Sequence, residues 1–172
     1  MFETERLDVR RMQPSDVDDL ERVYGDADAM RWVDDGRAIT RVECERWLDV
    51  TRRNYRARGY GMSVLVERAS GRVIGFCGLV HPGGQEQAEI KYALERGSWG
   101  RGLATEAAAG MLAYGAREHG LDTVIATTAP ENHASHRVLL KVGMTRAEVV
   151  HEDDGTPVQV FRWRTGGAAT GA

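Results

Sequence analysis

The stretch "SWGRGLATE", residues 98–106, decides how this chain is read. Gly100 and Gly102 stand two apart, and an alanine-rich run follows at once. Glycines let a backbone approach a ligand closely. The first turn of a helix adds unpaired N–H groups at its positive end, so such a loop suits phosphate. A nucleoside-triphosphate loop needs a lysine and a hydroxyl residue after its last glycine. Here Leu103 and Ala104 follow Gly102, which removes that reading. A dinucleotide fingerprint needs a third glycine where Thr105 stands. It also needs an acidic residue at the carboxyl end of a strand, whereas Asp122 sits at the start of one. Two readings remain: amides of residues 100–105 that meet a pyrophosphate, or a loop that uses its glycines only to turn.

The flanking elements follow from periodicity. Residues 6–10 alternate, with Leu7 and Val9 on one face, and predict a strand. Residues 14–24 predict a helix, with Pro14 and acidic residues in its first turn and Val17, Leu20 and Tyr24 at helical spacing. A loop through Asp34, Asp35 and Gly36 leads to an arginine-rich helix over 40–58, closed by Gly59. Strands are expected at 60–67 and 72–80, joined by a tight turn, and at 87–94. In the last of these Ala88, Ile90, Tyr92 and Leu94 share one face, and Glu89, Lys91 and Ala93 the other. A helix over 103–118, a strand over 121–128 and a short helix within 132–143 follow, the short one capped by Asn132. Strands at 144–150 and 158–164 complete the set. This order predicts an α/β (α+β) domain over 1–164: a mixed, mostly antiparallel sheet of about seven strands with flanking helices. The tail, 165–172, has nothing to bury and is expected to be disordered.

Composition narrows the function. The 172 residues are 42% hydrophobic with a net charge of −3, as in an ordinary single domain without a field that draws nucleic acid. No apolar run is long enough to span a membrane, and the charged start "MFETERLDVR" is unlike a secretory leader. A cytoplasmic protein is expected. Cys44 and Cys77 form no CxxC pair and read as buried, reduced thiols. His133 and His136 share a helix face, but no third ligand accompanies them, so no metal site is expected.

Three stretches together carry a resemblance. They are "TERLDVR" (4–10), "AEIKYALERGSWGRGLATEAA" (88–108) and "PENHASHRVLLKVGM" (130–144). In this order and spacing they resemble the GNAT superfamily of N-acetyltransferases, in its ribosomal-protein N-acetyltransferase branch. Gly102 and Ala104 match the last fixed positions of the motif Q/R-x-x-G-x-G/A. The resemblance implies a sheet that splays into a cleft for acetyl-CoA. Its pyrophosphate would lie on Gly100, Arg101, Gly102, Leu103, Ala104 and Thr105, and its pantetheine beside the backbone of Ala93 and Leu94. It further implies that Asn132 contacts the pantetheine arm, that Ser135 lies near the sulfur as a thiolate donor, and that Arg101 and Arg137 are phosphate partners. Asn132 and Ser135 also read simply as a helix cap and the third residue beyond it.

Acetyl transfer to an amine needs a base, an oxyanion donor and a hydrogen bond to the departing thiolate. It needs no covalent intermediate. Glu89, on the strand that leads into the loop, is the expected base, acting through a water; the competing reading is a surface carboxylate paired with Lys91. The family's usual E-I-G-Y reads "EIKY" at 89–92, which sets Lys91 beside that base. Met144 replaces a usual phenylalanine, and Ser98 stands where an aromatic is common. Trp32, Trp47, Trp99 and Tyr60 are expected near the acceptor side, mainly as packing. The arginines of 41–58 face solvent or read an acidic acceptor. The expected activity is direct transfer, in a ternary complex, to a primary amine: a protein N-terminal α-amine or a small-molecule amine. The alternative is a CoA-binding or sensing module without turnover. An exposed last strand at 158–164 would allow sheet-edge pairing into a homodimer.

Overall fold

A computed structural model describes residues 1–33 and 36–166. Asp34 and Asp35 of the expected loop, and 167–172 of the expected disordered tail, lie outside the described residues. The strands are β1 (Phe2–Glu3), β2 (Leu7–Arg11), β3 (Met62–Glu67), β4 (Arg72–Val80), β5 (Ala88–Leu94), β6 (Thr123–Thr128), β7 (Thr145–His151) and β8 (Pro157–Arg164). The helices are α1 (Val17–Tyr24), α2 (Ala27–Met30), α3 (Arg41–Arg58), α4 (Leu103–His119) and α5 (His133–Lys141). The mixed α/β class holds, with β1 and α2 as additions. Each is too short to leave a period; α2 is nonetheless marked by Asp26, whose carboxylate accepts from the amides of Asp28 and Ala29.

One sheet takes the order β1-β2-β3-β4-β5-β6-β8-β7. Neighbours are antiparallel except β5 and β6, which α4 joins as a crossover. The sheet buries both faces. Leu103, Ala107 and Met111 of α4 and Leu139 of α5 cover Leu79, Ile90, Val124 and Phe161. On the opposite face Leu20, Val23 and Tyr24 of α1 and Cys44 and Leu48 of α3 cover Val64, Phe76 and Ala93. The two cysteines are free and lie in these separate cores. Burial pushes the Cys77 thiol up to about 12 and the Cys44 thiol to about 11, so both stay protonated and inert at neutral pH.

Two expectations change. The strand at 158–164 is not an edge: β8 lies between β6 and β7, and β7 is the outer strand. Either strand of a terminal hairpin can turn inward. Here β8 carries the buried Val160 and Phe161, while β7 is exposed along nearly its whole length. The aromatic residues also divide. Tyr60 is buried, and Trp47 packs edge-on against Tyr24 at 4.9 Å between ring centroids. Trp32 and Trp99 remain 40% and 50% exposed, so packing does not account for them.

Glu106, in the first turn of α4, ties the N-terminal strands to this helix. It accepts from Thr4 Oγ1 at 2.6 Å, and from the amide and Nε of Arg6, each at 2.7 Å. Burial raises its pKa, but these hydrogen bonds and the Arg6 charge outweigh that and hold it below the usual carboxylate range. A lowered folded-state pKa stabilises above the unfolded value and is lost as pH falls through the folded one. Glu106→Gln should therefore cost about 1–3 kcal/mol at neutral pH. The gap to the parent should close as pH falls below ~4.3. Denaturant unfolding across a pH series checks this; a gap independent of pH would contradict the assignment.

Candidate active site

The sheet opens at a single seam. β5 and β6 pair only through Ala88 with Val124 and Glu89 with Ile125. Beyond that point β5 stays with β4 as far as the Gly75–Leu94 pair, and β6 stays with β8 as far as the Thr128–Gln159 pair. Residues 90–94 and 126–128 thus form the two arms of a V. Hydrogen-bonding direction alternates along a strand, and the Glu95 amide donates to Ile74 O at 2.8 Å. By that parity Ala93 bonds toward β4, while the N–H and C=O of Tyr92 and Leu94 face the seam. The indole N–H of Trp99 takes the Leu94 carbonyl at 2.8 Å.

The glycine loop follows β5 directly. Gly100 and Gly102 have φ of +72° and +78°, in the left-handed region that favours glycine. The first main-chain bond of α4 runs from the Glu106 amide to Gly102 O, at 3.1 Å. The amides of Leu103, Ala104 and Thr105 therefore have no acceptor within the helix. Arg6 Nη1 donates to Arg101 O at 2.8 Å and braces the loop. The Arg101 guanidinium itself is paired with Glu67 at 2.5 Å. Sequence reading gave Arg101 a phosphate and had no signal for Glu67, which lies 34 residues away.

The far arm ends in α5. Asn132 caps that helix, its side-chain oxygen accepting the Ser135 amide at 3.1 Å. Ser135 Oγ lies 2.7 Å from the phenol oxygen of Tyr92. This contact joins β5 to α5. Burial raises the Tyr92 pKa, and the Ser135 contact only partly offsets that, so the phenol stays protonated. Sequence reading placed Tyr92 on the apolar face and missed this role. The available signal was its hydroxyl, which needs a partner when buried. Arg137 lies on the exposed face of α5. His136 anchors the helix from below: Nδ1 meets Arg146 Nη2 at 3.0 Å, and Nε2 meets Thr128 Oγ1 at 2.8 Å and Ala129 O at 3.2 Å. Arg146 can only donate, so Nδ1 accepts and Nε2 carries the proton. Burial and the Arg146 charge lower the His136 pKa, in keeping with a neutral ring. His133 lies 5.7 Å from it, ring to ring, and no group of three metal-ligating side chains occurs among the described residues.

Glu89 sits at the apex of the V, on the face of α1 and α3. It is 2% exposed, so it is not a surface carboxylate, yet it is paired with Lys91. Oε1 lies 2.5 Å from Lys91 Nζ, accepts the Thr127 amide at 3.2 Å, and also accepts the Thr127 hydroxyl. Oε2 accepts from Gln85 Nε2 at 3.3 Å. Lys91 Nζ donates in turn to Thr127 Oγ1 at 3.2 Å, and its side chain is 42% exposed. Glu89 and Ser135 therefore lie on opposite faces of the sheet, with the seam between them. A ligand threaded through the seam meets a hydroxyl pair on one side and a carboxylate on the other. The free amides of α4 and the unpaired strand edge fit a pyrophosphate and a peptide-like arm.

Comparison with known proteins agrees with this architecture. Residues 6–145 match the model of the acetyltransferase (GNAT) domain. The chain is 30% identical to the uncharacterized protein YkkB of Bacillus subtilis over 163 residues, 92% of each chain. The solved structure of RimL, a ribosomal L7/L12 alpha-N-protein acetyltransferase in complex with coenzyme A, superposes with a TM-score of 0.79 at 16% identity, covering 94% of this chain and 95% of that one. Spermidine N-acetyltransferase from Vibrio cholerae, in complex with CoA and spermine, gives 0.76 at 15% identity over 94% and 96%. At such identities the two structures speak for the fold alone. The match to the domain model over most of the chain, together with the split sheet and the glycine loop at its mouth, makes this chain a member of the GNAT acetyltransferase family.

Proposed function

We propose that this protein transfers an acetyl group from acetyl-CoA directly to a primary amine in the cytoplasm, within a ternary complex. The acceptor is a protein N-terminal α-amine or a small-molecule amine. One observation carries this reading: the β5–β6 seam has free helix amides at its mouth and a buried carboxylate at its apex. The pyrophosphate would rest on the amides of residues 100–105. The pantetheine would lie along the seam-facing groups of Tyr92 and Leu94, next to Ala93. Asn132 would touch the arm, and Arg137 would approach a phosphate from α5. Arg101 would reach a phosphate only by leaving Glu67.

The proton path uses both faces. Glu89 accepts the amine proton, directly or through a water, on the side of α1 and α3. On the other face, the Tyr92 phenol can donate into Ser135 Oγ and leave the serine hydrogen free for the departing sulfur. An α-amine, with a pKa of ~7.7–8.0, asks less of a carboxylate than a lysine at ~10.4. The fold neighbours include an alpha-N-protein acetyltransferase and a spermidine N-acetyltransferase in complex with spermine, so both acceptor types occur on this architecture.

Purified protein incubated with acetyl-CoA and a broad panel of amines should release free CoA thiol with at least one acceptor. Glu89→Gln should lower that turnover by about 10²–10⁴-fold, the usual worth of a positioned base. No acceptor-dependent release from a protein that CoA still stabilises against heat would instead identify a binding module. Gly102→Val should weaken CoA binding by about tenfold or more, because a left-handed φ costs a side chain ~1–2 kcal/mol and the loop must shift. Calorimetric titration of the folded variant measures this, and unchanged affinity would remove the phosphate role of the loop.

A further inference from the structure

The amine nearest to Glu89 belongs to the chain itself. Lys91 replaces the small residue that the family pattern has there, and its Nζ lies 2.5 Å from Glu89 Oε1. It does not point away along the strand. It turns back to bridge the seam, from the carboxylate on β5 to Thr127 Oγ1 on β6 at 3.2 Å. That is the apex of the V, on the face from which an acceptor would come. The carboxylate is buried and the Lys91 side chain is 42% exposed, so the lysine borders solvent while its proton acceptor is fixed. Holding a nucleophile in such a place turns a bimolecular step into an effectively intramolecular one.

We infer that Lys91 is a site of self-acetylation, modified by acetyl-CoA when no external acceptor fills the cleft. This rests on the cofactor placement proposed above. The ammonium passes a proton to Glu89, directly or through water, and the neutral Nζ attacks the thioester carbonyl. A C–N bond forms, the C–S bond breaks and CoA leaves as the thiol. Of the two protons that Nζ loses, one ends on sulfur and the other reaches solvent. The product is an uncharged amide that no longer pairs with Glu89. An external amine bound at Glu89 competes with Lys91 for the same carboxylate.

The sequence makes the test unusually clean. This sequence holds two lysines, Lys91 and Lys141, so the second serves as an internal control. Full-length protein is incubated with acetyl-CoA and no acceptor, then analysed by intact mass and peptide mapping. Lys91 should gain one acetyl group at least about tenfold faster than Lys141, the advantage of a positioned nucleophile. Unfolding the protein first should abolish that advantage, as should Glu89→Gln. Lys91→Arg should lose the mark while CoA still raises its melting temperature. Equal rates at the two lysines, or an unmodified Lys91 in a preparation that acetylates an amine from the panel, would overturn the inference and leave the proposed activity standing. Absence of the mark, of any turnover and of stabilisation by CoA would remove both.

Discussion

The bond between the Glu89 carboxylate and Thr127 is the contact on which the site depends. Thr127 offers its amide and its hydroxyl toward β5, and a side chain on β5 takes both. In a continuing ladder that amide would go to a strand carbonyl. The carboxylate ends the parallel pairing instead, two residues after it begins. Each strand then follows its outer partner, β4 or β8, and the normal twist of a sheet carries the two apart. The residue that closes the ladder is thus also the one left at the base of the opening.

This arrangement settles an electrostatic problem. A carboxylate buried to 2% exposure cannot stay charged without partners. Glu89 has an ammonium, an amide, a hydroxyl and a side-chain amide around its two oxygens. In the proposed reaction an acceptor amine would replace one of these, and the half-exposed Lys91 is the partner that borders solvent. On the other face the groups are neutral: a raised Tyr92 phenol, the Ser135 hydroxyl and an uncharged His136 below them. The two sides of the seam therefore differ in chemistry, with an ion pair on one and a hydroxyl pair on the other.

Much of this was legible in the sequence because it rests on local rules. Alternation along residues 87–94 separated Glu89, Lys91 and Ala93 from Ile90 and Leu94, and the cores place Ala93 opposite Ile90 and Leu94. Asn132 announced its helix cap, and the glycines at 100 and 102 the loop that opens α4. What stayed hidden depends on contacts between distant segments. Tyr92 and Ser135 are 43 residues apart, and alternation alone assigned the tyrosine to the core. Glu67 holding Arg101, and β8 rather than β7 turning inward, are decided by packing that no period records. Burial of Glu89 was left open, since the sequence allowed both a base and a surface carboxylate paired with Lys91.

The central claim is that the seam and the first turn of α4 form one continuous bed for CoA. An amide-resolved NMR titration with CoA tests it most directly. The account predicts that the largest shifts, and new protection from exchange, fall on Tyr92, Leu94, Leu103, Ala104 and Thr105, while the outer strand β7 stays unchanged. Saturable binding that leaves those five amides unmoved and shifts another surface would contradict it.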